Sequence, residues 1–169
     1  MPASSGVSVR AGYENAIGEI RDPGATLPRM ESADLAGQPG TVSLTIPAKP
    51  EFLALCRLVL AGLAQTKSID AETLSDLELA VTEACTNAIT HAYDEAGGTI
   101  VVRCLVGSDR VDVEIEDRGR GFDGAPGRPE ETSESGRGLA VIQAVSDSVE
   151  VTRGPDGVGS RIRIRKLIG

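Results

Sequence analysis

The longest amphipathic pattern in the chain lies between residues 70 and 93. At about 100° per residue its apolar positions fall on one side of a helix, and Asp70 stands where an N-cap is expected. The pattern predicts one long helix that begins near Ala71 and ends near Tyr93. Its apolar positions are Leu74, Leu77, Val81, Ala84, Cys85, Ala88 and Ala92.

Glu83 and Asn87 lie one turn apart on the polar side of this predicted helix. Most Glu/Asn pairs of this kind simply face water. Here Leu79 shares the polar side, and Thr86 and Thr90 are uncharged, unlike the Lys/Glu mixture of a solvated helix face. The alternative is that the pair faces a ligand, with the carboxylate as a base and the amide oxygen as a metal ligand.

Further elements are predicted on either side of this helix. Short runs of alternating apolar and polar residues predict strands, and turn residues such as Gly, Pro and Asp separate them. The predicted strands are 41–46, 99–106, 110–116, 149–152 and 160–166, and further helices are predicted over 51–65 and from Leu139 onwards.

The strand over 110–116 indicates how the sheet is covered. Val111 and Val113 point to one face, whereas Asp112 and Glu114 point to the other. One face is therefore predicted to be buried and the other wet, as in an antiparallel sheet with helices on a single side. The predicted fold is an α/β two-layer sandwich of about five mainly antiparallel strands covered on one face by three helices.

Residues 1–40 differ in composition from the rest of the chain. They are rich in Gly, Pro, Ala and Ser and lack strong periodicity, although residues 13–20 are compatible with a turn or two of helix. We predict a mostly flexible N-terminal extension over 1–40 and a single domain over 41–169.

Composition and charge limit the class of protein. Of the 169 residues 40% are apolar but only 2% are aromatic, so the core must be aliphatic. The net charge of −8 argues against nucleic acid or an anionic membrane as a partner, because either would need a basic surface. No apolar run approaches the ~18 residues of a membrane span, and a signal-peptide pattern is missing, so we expect a cytoplasmic protein.

The three cysteines lack the spacing of a zinc site. Cys56, Cys85 and Cys104 lie far apart in sequence and among apolar residues. This pattern predicts buried, reduced thiols rather than metal ligands or disulfides.

Two glycine motifs carry the remaining chemistry, although each alone is compatible with an ordinary loop or turn. Asp117 ends a strand, and a carboxylate there can accept a hydrogen bond from an adenine amino group, whereas guanine has a carbonyl in that place and would face the acid with an acceptor. The glycines that follow allow backbone to approach a base and sugar, and the second pair exposes N–H groups at a helix N-terminus, where phosphate binds. A P-loop motif is absent. The two pairs are Gly119 with Gly121, and Gly136 with Gly138.

Together these motifs resemble the Bergerat-fold ATPases and kinases, the superfamily of gyrase, heat-shock chaperones, histidine kinases and mismatch-repair ATPases. The order is Glu-x-x-x-Asn on a helix, Asp-x-Gly-x-Gly after a strand and Gly-x-Gly opening a helix. The run over 83–93 is most similar to the bacterial anti-sigma-factor serine/threonine kinases. The resemblance covers roughly residues 41–167.

The resemblance implies that the chain uses ATP and Mg²⁺. Asn87 would coordinate the Mg²⁺ that bridges the phosphates, and Glu83 would polarise the attacking hydroxyl of a protein serine or of water. Ser160 occupies the place of a serine or threonine that hydrogen-bonds near the adenine site. The resemblance further implies a homodimer that holds a sigma factor and phosphorylates a small antagonist protein.

One position departs from these kinases. They often carry a basic residue just before the second glycine motif, within reach of the γ-phosphate, where this chain has Glu134 and Ser135. Arg137, Arg120 or Arg128 remain candidates to supply that charge. The polar segment over 122–135 is the predicted lid.

Two alternatives stay open at this stage. The first is a nucleotide-binding module that sequesters a partner without phosphoryl transfer, and the second is a detached histidine-kinase ATPase domain, which would favour a longer lid. His91, the only histidine, is predicted to have a packing or surface role. The alternating Arg161, Arg163 and Arg165 are predicted to form the wet face of the last strand rather than an anion site.

Overall fold

A computed structural model describes residues 8–11, 35, 40–93, 97–120 and 134–168. Within these residues three α-helices and six strands are present. The helices are α1 (Leu53–Lys67), α2 (Ala71–His91) and α3 (Glu134–Val145). The strands are β1 (Ser8–Ala11), β2 (Val42–Pro47), β3 (Thr99–Val106), β4 (Arg110–Asp117), β5 (Ser148–Arg153) and β6 (Ser160–Leu167).

The strands form one sheet in the order β1-β2-β3-β4-β6-β5, and every described pairing is antiparallel. One face packs against the helices around an aliphatic core that includes Val81 of α2 and Ile100, Val113 and Ile164 of the sheet. These side chains are all fully buried. The predicted two-layer sandwich is therefore confirmed.

The sheet contains one strand that the sequence pattern does not predict. Ser8–Ala11 pairs with β2 and places Val9 opposite Leu44, although it lies in the segment predicted to be an extension. A four-residue strand at a sheet edge is too short to show a periodicity. The helical turns predicted over 13–20 lie outside the described residues.

The long helix begins where the sequence predicts. Asp70 caps it, because its carboxylate oxygens accept hydrogen bonds from the Thr73 N–H at 2.9 Å and the Thr73 hydroxyl at 2.7 Å. These bonds favour the ionised carboxylate and lower the pKa of Asp70. The helix ends at His91, which is exposed, two residues before the predicted end.

The three cysteines are free and buried, as predicted. Burial raises the pKa of the Cys104 thiol to about 12, so this group stays protonated at neutral pH. No cluster of three or more potential metal ligands occurs among the described residues. The helices in the described ranges are all too short or too polar to cross a membrane.

The sheet face opposite the helices is charged but buried, so the prediction of a wet face is wrong. Glu114 on β4 is completely inaccessible, with 0% exposure. It pairs with Arg103 on β3 at 2.8 Å and with Arg163 on β6 at 2.8 Å. The register explains this arrangement, because Glu114 stands directly opposite both arginines.

The same pattern extends along β4 and corrects the expectation for the last strand. Asp112 pairs with the buried Arg165 at 2.6 Å, and Glu116 pairs with Arg161 at 3.2 Å. The arginines of β6 therefore neutralise carboxylates within the sheet instead of facing solvent. β6 is also not an edge strand, since β5 lies beyond it. We refer to the acidic residues 112, 114 and 116 and their arginines as the charge ladder.

Replacing Glu114 with glutamine should destabilise the fold strongly. The substitution removes a charge partner of the buried Arg163 guanidinium, and breaking a buried ion pair in this way costs about 3–5 kcal/mol. Urea unfolding of the variant would measure the loss. The matched control is Glu150→Gln, because Glu150 is exposed on β5 opposite the same arginine and should change stability by less than about 0.5 kcal/mol. Equal unfolding free energies for the two variants would contradict a structural role for the ladder.

Candidate functional site

Parts of α2, β4, β6 and α3 meet at one end of the sheet. Asp117 ends β4 and contacts Ser160 at the start of β6. The residues after β4 contact the end of α2, and the first turns of α3 contact Asn87. Segments that are distant in sequence, and that carry the predicted motifs, thus lie side by side.

Asp117 is held from two directions and is 2% exposed. One carboxylate oxygen accepts the Gly119 N–H at 2.9 Å, and the other accepts the Ser160 hydroxyl. Each carboxylate oxygen can accept more than one hydrogen bond, so the group keeps acceptor capacity for a ligand amino group. The predicted residues Asp117, Gly119 and Ser160 therefore form one hydrogen-bonded unit.

The turn before Ser160 contains a residue that sequence reasoning missed. Gly159 has a φ of +70°, which favours glycine, and a Cβ there would overlap the backbone of Asp117 and Arg118. The signal was present in the Gly-x-Gly that precedes Ser160. Its target on β4 could be recognised only once the pairing of β4 with β6 was known.

Position 119 must be a glycine because its backbone lies against the end of α2. A Cβ on Gly119 would overlap the Ala92 carbonyl at the end of α2, and the next residue, Arg120, donates its N–H to that same carbonyl at 2.9 Å. The sequence predicts a glycine here so that the backbone can approach a base and sugar. The structure adds a second reason, which is the close packing of this residue against the end of α2. Gly121 and Arg128 lie outside the described residues, as does most of the predicted lid.

Asn87 lies directly beneath the start of α3. A Cβ on Gly138 would stand 2.8 Å from its amide nitrogen and 3.0 Å from its amide oxygen. Only glycine leaves this amide uncovered. Glu83, one turn earlier on α2, is half-buried like Asn87, so both side chains remain reachable from solvent.

The second glycine motif lies within the first turns of α3, because this helix begins at Glu134. The first four N–H groups of a helix have no intrahelical partner, and here they include those of Gly136 and Arg137. Such groups favour an anion through their direction and through the helix dipole. The Arg137 side chain is exposed, which leaves it available to a ligand.

Tyr93 is a second residue that sequence reasoning missed. Its hydroxyl accepts the Arg118 N–H at 2.9 Å and donates to the Thr99 carbonyl at 2.6 Å. Burial raises the pKa of Tyr93, and the negative charge of Asp117 raises it further, so the hydroxyl is protonated at neutral pH. Position 93 lies at the predicted end of α2 and within the run over 83–93, but nothing in that run indicated that its hydroxyl connects Thr99 with Arg118.

Comparisons with known proteins agree with this geometry. Residues 46–166 match the family of histidine kinase-like ATPase domains. A solved structure of the RsbU and RsbW domains of Rv1364c from Mycobacterium tuberculosis has a similar fold, with a TM-score of 0.57 and 21% identity. That match covers 75% of this chain and 32% of the other, and it supports the fold alone.

Sequence relatives narrow the family. The serine-protein kinase RsbW of Bacillus pumilus is 37% identical over an alignment of 124 residues, and the match covers 65% of this chain and 76% of the relative. The serine-protein kinase RsbW of Bacillus subtilis is 36% identical over 122 residues, with the same two shares. These relatives confirm the resemblance drawn from the three motifs. The chain belongs to the histidine kinase-like ATPase family and, within it, to the RsbW serine-protein kinases.

Proposed function

We propose that the chain is an ATP-dependent serine/threonine protein kinase that phosphorylates a small antagonist protein and sequesters a sigma factor. Its relatives carry the name serine-protein kinase. The observation that carries the proposal is the convergence of the buried Asp117 carboxylate with the Asn87–Gly138 contact at one end of the sheet. This end of the sheet thus has a hydrogen-bond acceptor for a base, and the neighbouring helices α2 and α3 carry groups suited to binding phosphates.

Asp117 binds the adenine. Its carboxylate is fixed by the Gly119 N–H and the Ser160 hydroxyl, so it cannot turn away to suit a different base. A guanine would present a carbonyl to this acceptor, and the mismatch would leave a buried polar group unpaired.

The start of α3 would hold the phosphates. The N–H groups of Gly136 and Arg137 and the helix dipole would attract them, while Gly138 keeps the Asn87 amide open. The Asn87 oxygen is a hard ligand of the kind that Mg²⁺ prefers, so this residue would coordinate the metal. When bound, Mg·ATP supplies the phosphoryl group and neutralises part of the charge that develops during transfer.

Glu83 serves as the base. It lies one turn before Asn87 on the same side of α2, and its partial exposure allows a serine or threonine hydroxyl of a second protein to reach it. A carboxylate in that place would accept the proton of the hydroxyl that receives the phosphoryl group of ATP, with ADP as the leaving group.

Kinase activity is preferred to the two alternatives. A module that binds nucleotide without transfer would not need an accessible carboxylate beside the metal ligand. The relatives named serine-protein kinase favour the RsbW group over a detached histidine-kinase domain. We further propose a cytoplasmic homodimer, and the net charge of −8 disfavours nucleic acid as a partner.

Incubation with γ-labelled ATP and the small protein encoded by a neighbouring gene tests the function. Label should appear on a serine or threonine of that protein. Glu83→Ala should slow the transfer by roughly 10²–10⁴ while ATP still binds, because only the general base is lost. Undiminished transfer in this variant would remove the role of Glu83, and absence of transfer by the wild-type protein would leave the binding module as the better description.

Asp117→Asn should weaken ATP binding by about 1–3 kcal/mol, since the amide would offer a donor where the adenine amino group needs an acceptor. Isothermal titration calorimetry with ATP and GTP would show the loss and a reduced preference for ATP. Asp109→Asn is the matched control, because Asp109 is exposed in the turn that precedes β4, at the other end of that strand. Equal affinity of the wild-type protein for ATP and GTP would refute the adenine assignment.

Gly138→Ala should impair nucleotide binding without unfolding the protein. The new methyl group would press on the Asn87 amide, and the Mg²⁺-dependent part of the ATP affinity should fall. The control is Gly62→Ala in α1, where a Cβ meets nothing within 4 Å. Both changes improve helix propensity by roughly 0.5–1 kcal/mol, so thermal unfolding should not separate them as strongly as ATP titration does. An unchanged Mg²⁺ titration in Gly138→Ala would count against Asn87 as a ligand.

A further inference from the structure

We propose that Tyr93 is a positioning residue for base recognition, because its hydroxyl separates β3 from the end of β4 and thereby fixes Asp117. The inference rests on the proposed ATP site. Tyr93 is not proposed to contact the nucleotide; it acts on Asp117 through the backbone of Arg118.

The hydroxyl lies between two strands that would otherwise continue to pair. The last pair of β3 and β4 is Ile100 with Asp117, so Thr99 and Arg118 would form the next pair in this register. Instead the Tyr93 hydroxyl bridges them, accepting from the Arg118 N–H at 2.9 Å and donating to the Thr99 carbonyl at 2.6 Å. β4 consequently leaves the sheet immediately after Asp117.

The departure of the chain from the sheet after Asp117 allows the next residues to fold back towards the Asp117 carboxylate. Once Arg118 is held away from β3, the next residue, Gly119, can turn its N–H back to the Asp117 carboxylate at 2.9 Å. Arg120 then reaches the Ala92 carbonyl at 2.9 Å. The consecutive residues Ala92 and Tyr93 thus bind the chain on both sides of Gly119.

The tyrosine ring is itself fixed by its surroundings. A Cβ on Gly98 would overlap the ring, so Gly98 provides the space in which the ring lies against the start of β3. The ring also packs against the hydrophobic core. The position of the hydroxyl is therefore set by packing, independently of the hydrogen bonds that it makes.

Loss of the hydroxyl has a specific consequence. Without it, Thr99 and Arg118 can pair directly, β4 can extend by one residue, and the Gly119 N–H loses the position from which it bonds to Asp117. A phenylalanine preserves the ring and its packing, so Tyr93→Phe removes the bridge while keeping the core.

The experiment compares Tyr93→Phe with the wild-type protein by calorimetry with ATP and GTP. We expect about tenfold weaker ATP binding and a lower ATP-to-GTP preference, as the loss of a hydrogen-bonded bridge predicts. The matched control is Thr66→Val, which removes another hydroxyl-to-carbonyl bond, from Thr66 to Leu63 at 2.7 Å, at the far end of α1. That control should bind both nucleotides as the wild type does.

Hydrogen exchange of the Arg118 amide in the nucleotide-free protein provides a second measurement. We expect faster exchange in Tyr93→Phe, and also in Gly98→Ala, which displaces the ring but keeps the hydroxyl. Unchanged ATP affinity and base preference in Tyr93→Phe would overturn the inference, and so would a Tyr93→Phe protein that fails to fold. Failure of the wild-type protein to bind ATP would instead overturn the proposed function, whatever the exchange rates.

Discussion

The contact between the end of α2 and the residues after β4 is the constraint on which the site depends. α2 carries Glu83 and Asn87, whereas β4 carries Asp117, and no covalent link fixes their separation. The Ala92 carbonyl accepts the Arg120 N–H, and Gly119 lies so close that no side chain fits. The apolar side of α2 is buried against the sheet, so the packed core fixes where α2 lies. Together with this contact, the core therefore sets the distance between Asp117 and the two α2 residues.

The charge ladder serves the same end of the sheet through its register. Glu116 stands opposite Arg161 on β6, and continuing this antiparallel pairing by one residue brings Ser160 opposite Asp117. A slip of one residue would part each buried carboxylate from its arginine, at a cost that burial makes large. The ion pairs therefore select the one alignment in which the Ser160 hydroxyl reaches the Asp117 carboxylate. The same strand alignment therefore determines both the buried ion pairs and the contact between Ser160 and Asp117 that we propose for base recognition.

Local signals allowed much of this arrangement to be predicted. The apolar period of α2, the Asp70 cap and the strand that ends at Asp117 each depend on neighbours in sequence, and all three are confirmed. The buried state of Glu114 and the role of Tyr93 depend instead on which strands become neighbours. Alternation shows that Glu114 points away from Val113, but it does not show that arginines from two other strands cover it. Long-range pairing is the information that a pattern of residues along one strand lacks.

The two ends of the site differ in a way that suits a kinase whose substrate is another protein. The proposed base end is buried, and hydrogen bonds that involve β3, β6 and the residues just after α2 connect its parts, so the Asp117 carboxylate is held in place before any nucleotide binds. The proposed transfer end consists of the half-buried α2 side chains of Glu83 and Asn87, which remain accessible. A protein serine must approach this end without displacing the nucleotide. A rigid base end would hold the nucleotide, and an accessible phosphate end would admit the protein substrate. The two requirements do not conflict, because the buried bonds that hold Asp117 are separate from the surface that a second protein would cover.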